Sequence, residues 1–498
     1  MKKTLLLTAL LSATALGAQA SELKIGLESD PDALDPDKSR TFVGRIVFTS
    51  LCDKLVDITP ELSIVPQLAT AWETSDDGKA LTMTLRDGVT FHDGTPFNAE
   101  AVKANIERSK TFDESVRKSE LSSIDTVEVV DALTVKFNLS ASDATLLAQL
   151  ADRAGMMMAP SALSPDFASN PVCSGPFTLT ERVSQDKIVL DKFAGYWNAD
   201  AILLERVTLV MIPDSTVRLA NLQSGDIQIV NQLSATDAAA VEGNARLRFA
   251  NITGLGYQGL TFNGANGDKS NNPLGQNAKL REAFDLSIDR DAINQVVFNG
   301  LFTPASQPFT PASPYYNPDF PVIKRDIEAA KAILAEAGVQ TPVKVQVQVP
   351  NTPVTLQLMQ VIQSMVAEAG FEVELVSKEF ATLIADASVG DFQISQQGWS
   401  GRVDPDGNIF GFVTTDAGFN DGKYSNAEVD RLLREARTIS DPAARAERYK
   451  AATAILAVDR PLIYLYHLGW LYGLDAKVQG LTLYPDGMLR LEGVSVTE

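Results

Sequence analysis

Gly254-Leu255-Gly256-Tyr257-Gln258-Gly259 spells the GxGxxG of a dinucleotide-binding turn. That chemistry needs a strand before the turn and a helix after it, so that the helix N-terminus can meet the pyrophosphate. Here Leu260-Thr261-Phe262 reads on as strand, which argues against a nucleotide. Asp404-Pro405-Asp406-Gly407-Asn408 opens like a calcium loop. Its sixth position is Ile409 where the turn needs Gly, and its twelfth is Thr415 where the ion needs a bidentate Glu. Histidine occurs only at His92 and His467, and cysteine only at Cys52 and Cys173. No Cys/His metal cluster can be assembled from these, and their spacing excludes a CxxC redox pair. GxSxG, HExxH and Walker-type runs are missing, and carboxylate pairs arise by chance in a chain with 63 acids. The expectation is therefore no catalysis, no metal and no cofactor.

The elements around these residues divide into two styles. From about 22 to 94 the pattern is strands and turns: Leu81, Met83 and Leu85 alternate with Thr82, Thr84 and Arg86 between Asp76-Asp77-Gly78 and Asp87-Gly88, which predicts a hairpin with one buried face. Asn98 is placed to cap a helix carrying Glu100 in its first turn and Val102 and Ile106 on one side. Further on, Val343, Val345, Val347 and Val349 alternate, 356–369 has helical periodicity, and Phe371, Val373 and Leu375 alternate again. That is a β-α-β unit and implies a parallel sheet. A further strand over 391–397 would open at its carboxyl end onto Gly398-Trp399-Ser400-Gly401. Ligands of open α/β sheets bind at such ends, so this loop is the first candidate site. Tyr464, Tyr466, His467, Trp470 and Tyr472 crowd a later strand, and the alternation of Tyr464 and Tyr466 predicts one shared face.

The first twenty residues read as an export signal, with Lys2 and Lys3, an apolar run from Leu5 to Leu16, and Ala18-Gln19-Ala20 as the cleavage site. Cleavage would leave a chain starting at Ser21 in the periplasm, with no membrane insertion of its own. The formal charge of the 498-residue chain is −20. Loss of the two signal lysines makes it more negative still, which disfavours nucleic acid and anionic lipid as partners. Such a length exceeds what one core serves, so two or three domains are expected. In an oxidising compartment a disulfide between Cys52 and Cys173 is favoured over two buried thiols.

Several stretches together resemble the large extracellular solute-binding family of dipeptide, oligopeptide, glutathione and nickel importers. The most specific runs from Leu85-Arg86-Asp87-Gly88 through Phe91-His92-Asp93-Gly94-Thr95-Pro96-Phe97 to Glu100-Ala101-Val102. Others are Leu34-Asp35-Pro36, Val65-Pro66-Gln67-Leu68-Ala69 before Trp72, Gly175-Pro176-Phe177, and Leu280-Arg281-Glu282-Ala283-Phe284 with Asp289-Arg290. Physically the first stretch is scaffold: Phe91 and Phe97 fill a core, while Gly88 and Gly94 supply turns. The resemblance implies an α/β, type II periplasmic-binding-protein fold, two lobes joined by a hinge with an extra α/β domain inserted in the first lobe. It would divide the chain into a first lobe of 21–60, 170–260 and 473–498, an extra domain of 61–169, and a second lobe of 261–472. Strand crossings near Tyr257 to Asn263 and near His467 to Gly473 would hinge the lobes, and Gly254, Gly256, Gly259 and Gly264 suit positions that absorb rotation.

The function so implied is the substrate-binding component of an ABC importer, which captures a short peptide or peptide-like solute and delivers it to membrane permease subunits, as a monomer. The alternatives are a non-peptide solute (a sugar-amino acid conjugate, an oligosaccharide or a metal chelate), an exported hydrolase, or a chemoreceptor-coupled sensor. In dipeptide-binding relatives an acid after Trp-x-Gly holds the ligand's ammonium. Here Trp399-Ser400-Gly401 is followed by Arg402, with Asp404 and Asp406 beyond. Arg402 favours an anionic group on the solute, or else an internal bridge to Asp404 or Asp406. Trp399 either stacks on the ligand or packs in the core, and Asp404 and Asp406 either join the site or stiffen an Asp-Pro turn. Arg40, Thr41 and Phe42 lie where relatives lend side chains to the pocket. Tyr257, Asn263 and His467 complete the candidate set.

Overall fold

The computed structural model describes residues 21–439 and 441–497; the expected export signal lies outside the described residues. Ten strands form the path of one continuous mixed sheet: β1 (Glu22–Leu27), β2 (Phe177–Val183), β3 (Lys187–Lys192), β4 (Arg206–Met211), β5 (Ile229–Asn231), β6 (Leu247–Phe262), β7 (Val343–Pro350), β8 (Phe371–Lys378), β9 (Ile394–Trp399) and β10 (Leu462–Asp475). Their order is β8-β7-β9-β6-β10-β5-β1-β4-β3-β2, and a short eleventh strand, Thr303–Pro304, pairs with β10 off this path.

Two parallel trios sit on either side of an antiparallel centre. On one side β1 pairs in parallel with both β4 and β5. On the other, β7 pairs in parallel with both β8 and β9. The valine alternation that predicted β7 is buried as expected, with Val343, Val345, Val347 and Val349 in the core. The helix after β7, Pro353–Ala367, starts behind Thr352, whose hydroxyl accepts from the Thr355 amide. Between the trios run the long strands β6 and β10, paired over most of their lengths. Among the described residues they are the only strands shared by both sides, so they carry the two crossings of the chain.

The hairpin Ala69–Thr74/Ala80–Leu85 belongs to a separate four-stranded antiparallel sheet. It buries Leu81, Met83 and Leu85 against the helix α1 of that unit, Ala99–Thr111, whose Asn98 side chain accepts from the Ala101 amide as predicted. Phe91 and Phe97 meet edge to face in this core, 6.0 Å between centroids. Cys52 and Cys173 are joined by a disulfide, tying the end of the helix Phe42–Leu51 to the chain entering β2. Among the described residues no helix is long and apolar enough to cross a membrane.

One prediction along β10 is overturned. Tyr464 opposes Gly259 while Tyr466 opposes Gln258, so a bulge at Leu465 lies between them. An extra residue in one strand reverses the alternation. Tyr464 therefore packs with Tyr257, Trp399 and Phe419, whereas Tyr466 packs with Phe298 and Phe302 on the other face.

Candidate functional site

Both parallel trios point their carboxyl ends at the same cleft, which is open to solvent. One wall carries Glu28 and Ser29 just after β1, Pro213 after β4 and Gln232 to Ala235 after β5. The facing wall carries Pro350 to Thr352 at the end of β7, Glu379 and Phe380 after β8, and Gln396 to Ser400 from β9. Gln258, Tyr466 and Leu468 to Leu471 of the crossing strands form its floor. This is the position that parallel-sheet topology assigns to a ligand, here doubled by two opposed half-sheets.

The cleft is polar at a few points and apolar between them. Burial raises the Glu28 carboxyl above its ordinary value, against the pull of nearby Arg218. With its amide nitrogen turned toward Glu28, Gln232 donates to both carboxylate oxygens, at 2.9 and 3.2 Å. Arg218 is tied down by backbone carbonyls, its Nη1 donating to Pro213 at 2.9 Å and its Nη2 to Gln232 at 3.4 Å. Phe42 lies flat on Trp470, centroids 4.3 Å apart, a large apolar platform fixed by the Trp470 Nε1 donation to the Pro485 carbonyl. Arg40 reaches across to Asp421 with two contacts of 3.0 Å, joining the two walls at the rim.

Of the residues singled out by sequence, Arg40, Thr41, Phe42 and Trp399 line this cleft. Thr41 also caps the helix Phe42–Leu51 through the Gly44 amide. Trp399 is 7 % exposed; its Nε1 donates to Asn408 Oδ1 and its ring stacks edgewise on Phe412. The other candidates lie elsewhere. Arg402 bridges to neither Asp404 nor Asp406: its Nε sits 2.7 Å from Asp152, in the four-stranded-sheet unit, and its guanidinium lies over the Trp399 ring. Asp404 is held by Arg445 at 2.6 Å and Asp406 by Arg437 at 2.7 Å, both reaching in from the helices Ala427–Thr438 and Pro442–Asp459. Asn263 spends its amide on the carbonyls of Asn266, Gly390 and Phe392. Tyr257 is buried with its hydroxyl toward the Asn408 carbonyl. His467 is buried, with Nδ1 3.1 Å from the Gly256 carbonyl, and burial pulls its pKa down to about 4.

None of Gly254, Gly256, Gly259 and Gly264 takes a positive φ. Gly256 is small because β6 runs against the Trp399 loop: a Cβ there would lie 1.8 Å from the Trp399 carbonyl oxygen. Gly401, at φ +88°, turns the same loop toward β6. Between Thr253 and Tyr257 the β6–β10 register slips, so three residues oppose one. Glu28 and Gln232 escaped the sequence reading although a signal existed, since each directly follows a strand of the parallel trio.

Two opposed parallel half-sheets, two connecting strands and a solvent-open cleft between them define a type II periplasmic-binding-protein fold, with two lobes and an extra domain. Residues 63–421 match the model of the bacterial extracellular solute-binding proteins, family 5, and the chain belongs to that family. It is 28 % identical to the glutathione-binding protein GsiB of Pectobacterium atrosepticum, over 96 % of this chain and 95 % of that one. It is 27 % identical to a dipeptide-binding protein of Escherichia coli K12, over 97 % and 96 %. Among solved structures it resembles AgaA of A. tumefaciens R10 in complex with agropinic acid, with TM-score 0.88, 27 % identity, and 96 % and 99 % coverage. A dipeptide-binding protein from Pseudoalteromonas sp. SM9913 holding Met-Leu shares the fold at TM-score 0.88 and 24 % identity, over 96 % of this chain and 100 % of that one.

Proposed function

We propose that this chain is the periplasmic substrate-binding component of an ABC importer, taking a short peptide or peptide-like solute into the cleft and handing it to a membrane permease. The observation that carries the reading is the composition of the cleft. Amide side chains of Gln232, Gln258, Gln396 and Gln397 offer donors and acceptors for a peptide backbone, Glu28 offers a carboxylate for an ammonium, and the Phe42–Trp470 stack offers apolar area for a side chain. The named relatives, a glutathione-binding and a dipeptide-binding protein, support the same ligand class. Catalysis is disfavoured because the cleft's hydroxyls have no histidine to activate them. Neither His92 nor His467 lines it, and the rings engage backbone at Gly175 and Gly256.

In this reading the first lobe comprises 21–60, 170–260 and 473–498, the extra domain 61–169 and the second lobe 261–472. The lobes swing about β6 and β10, and the chain works as an exported monomer. Natively purified protein, denatured and analysed by mass spectrometry, is expected to release peptide-like masses that raise the melting temperature when added back. Recovery of a carbohydrate without amide bonds, or hydrolysis of added peptides, would overturn the reading.

A further inference from the structure

A second cavity lies within 261–472, and none of its lining residues also lines the cleft. Its walls are the corner between the helices Ala278–Leu286 and Arg290–Phe298, the segment 319–324, the last turns of the helix Pro442–Asp459 and the start of β10. The Ile323 amide donates to Ser306 Oγ at 2.9 Å, and Gln307 Nε2 donates to the Asn317 and Phe320 carbonyls at 3.0 Å each, which fixes the segment in place. Arg290 is 3 % exposed and Thr453 2 %. Both line the cavity, and Arg290 Nη1 and Thr453 Oγ1 are buried with no hydrogen-bond partner among the described residues.

Each orphan is unusual for its place. A threonine inside a helix can return its hydroxyl proton to the carbonyl one turn earlier, and Thr453 does not. Counter-charge is short beside Arg290: Asp285 serves Arg290 Nη2 and also Arg460 Nε, the latter at 3.2 Å, so two guanidiniums share one carboxylate. Glu282 stands 3.9 Å from Arg460 and takes Lys279 at 2.8 Å. Asp319 and Lys324, the other charged residues of the lining, are exposed. An unmet donor on a buried guanidinium costs free energy that a suitable acceptor restores. Between these polar points the lining is apolar, with Pro308, Phe320, Pro321, Val322, Leu456 and Leu462.

We propose that this cavity is an effector site for a small monocarboxylate with an apolar body of a few carbons, its oxygens on Arg290 Nη1 and Thr453 Oγ1 and its body against Phe320, Val322 and Leu456. The same arginine holds the crossing strand. Its Nε donates to the Tyr464 carbonyl at 2.9 Å and to the Ala305 carbonyl at 2.7 Å, and the Ala305 amide donates to the Leu465 carbonyl at 3.0 Å, at the bulge of β10. Tyr464 in turn packs with Tyr257 and with Trp399, a residue of the cleft. An occupant that engages Arg290 therefore bears on the strand that joins the two walls, and it shifts the cleft by whatever difference in affinity it has for the open and closed forms. The site itself assumes nothing about the cleft, whereas the coupling rests on the solute-binding reading.

The test titrates the full mature protein, purified with its native solute in place, with sodium butyrate. Butyramide, the neutral counterpart, and sodium chloride at equal ionic strength serve as controls, with melting temperature as the readout. Butyrate is expected to stabilise wild type saturably and beyond both controls. Thr453→Val keeps the shape and removes only an unpartnered hydroxyl, so it should melt no lower than wild type and yet need roughly tenfold more butyrate for half the response. Butyrate that does no more than butyramide or chloride overturns the site, and so does an undiminished response in Thr453→Val. A response confined to solute-free protein would place butyrate in the cleft and overturn it as well. Saturating butyrate should change the affinity for the native solute by roughly fivefold or more, and an unchanged affinity beside a saturable response overturns the coupling to β10. Protein that carries no solute at all would count against the solute-binding reading and leave the butyrate titration to be judged by itself.

Discussion

At the scale of single residues, type was legible in the sequence and partnership was not. Arg402 was singled out because it replaces an acid, and the only bridges visible along the chain were Asp404 and Asp406. The structure gives those two acids to Arg437 and Arg445, and Arg402 to Asp152, some 250 positions away. No local pattern encodes such a pair, since helix and strand spacings relate near neighbours alone. His467 shows the same limit, because a histidine beside a strand crossing reads equally as ligand or as core. Its depressed pKa makes a checkable statement. The native ring stays neutral down to about 4, while an unfolded ring protonates near its ordinary 6.5. Between those values the unfolded chain binds the extra proton, so the stability due to this residue is full above pH 6.5 and is lost as pH falls toward 4. Relative to His467→Gln, the unfolding free energy of wild type should drop by up to about 3 kcal/mol across that window. Chemical denaturation of both proteins at a series of pH values checks it, and a difference flat in pH would contradict a buried neutral ring.

At the scale of elements the sequence was more informative. Valine alternation, the Asn98 cap and the hairpin turn residues each predicted the element now seen, because each is a local consequence of side-chain periodicity or capping chemistry. The failure in β10 has an equally local cause. One inserted residue at Leu465 sends Tyr464 and Tyr466 to opposite faces, and nothing about Leu465 announces a bulge. The Cys52–Cys173 link was expected from compartment alone, and the structure explains its place. The Gly175 amide donates to the Leu51 carbonyl at 2.8 Å, so the chain entering β2 already lies against the end of the helix Phe42–Leu51. The bond closes a loop over a separation of 121 positions. Cys52→Ala/Cys173→Ala should cost about 2 to 5 kcal/mol of unfolding free energy, mainly by freeing the unfolded chain. Equal denaturation midpoints for the variant and the oxidised wild type would show the link to be dispensable.

At the scale of the whole molecule, the sequence showed a long acidic chain, expected to be exported and to divide into several domains, and the hallmark stretch supplied the family resemblance. What it could not show is how the walls meet. The contacts that span the cleft, Arg40 to Asp421, Arg45 to Ser400 and Arg402 to Asp152, join residues separated by roughly half the chain or more. All three cross between parts that β6 and β10 connect, so they would form as the lobes close and break as they part. Solute and closure are then coupled: whatever binds both walls favours the closed form by its differential affinity. Small-angle scattering on protein stripped of solute, before and after its natively bound solute is added back, measures that coupling most directly. The account predicts a smaller radius of gyration on addition, at the same solute concentrations that raise the melting temperature. An unchanged radius alongside a raised melting temperature would contradict capture by closure of the two lobes.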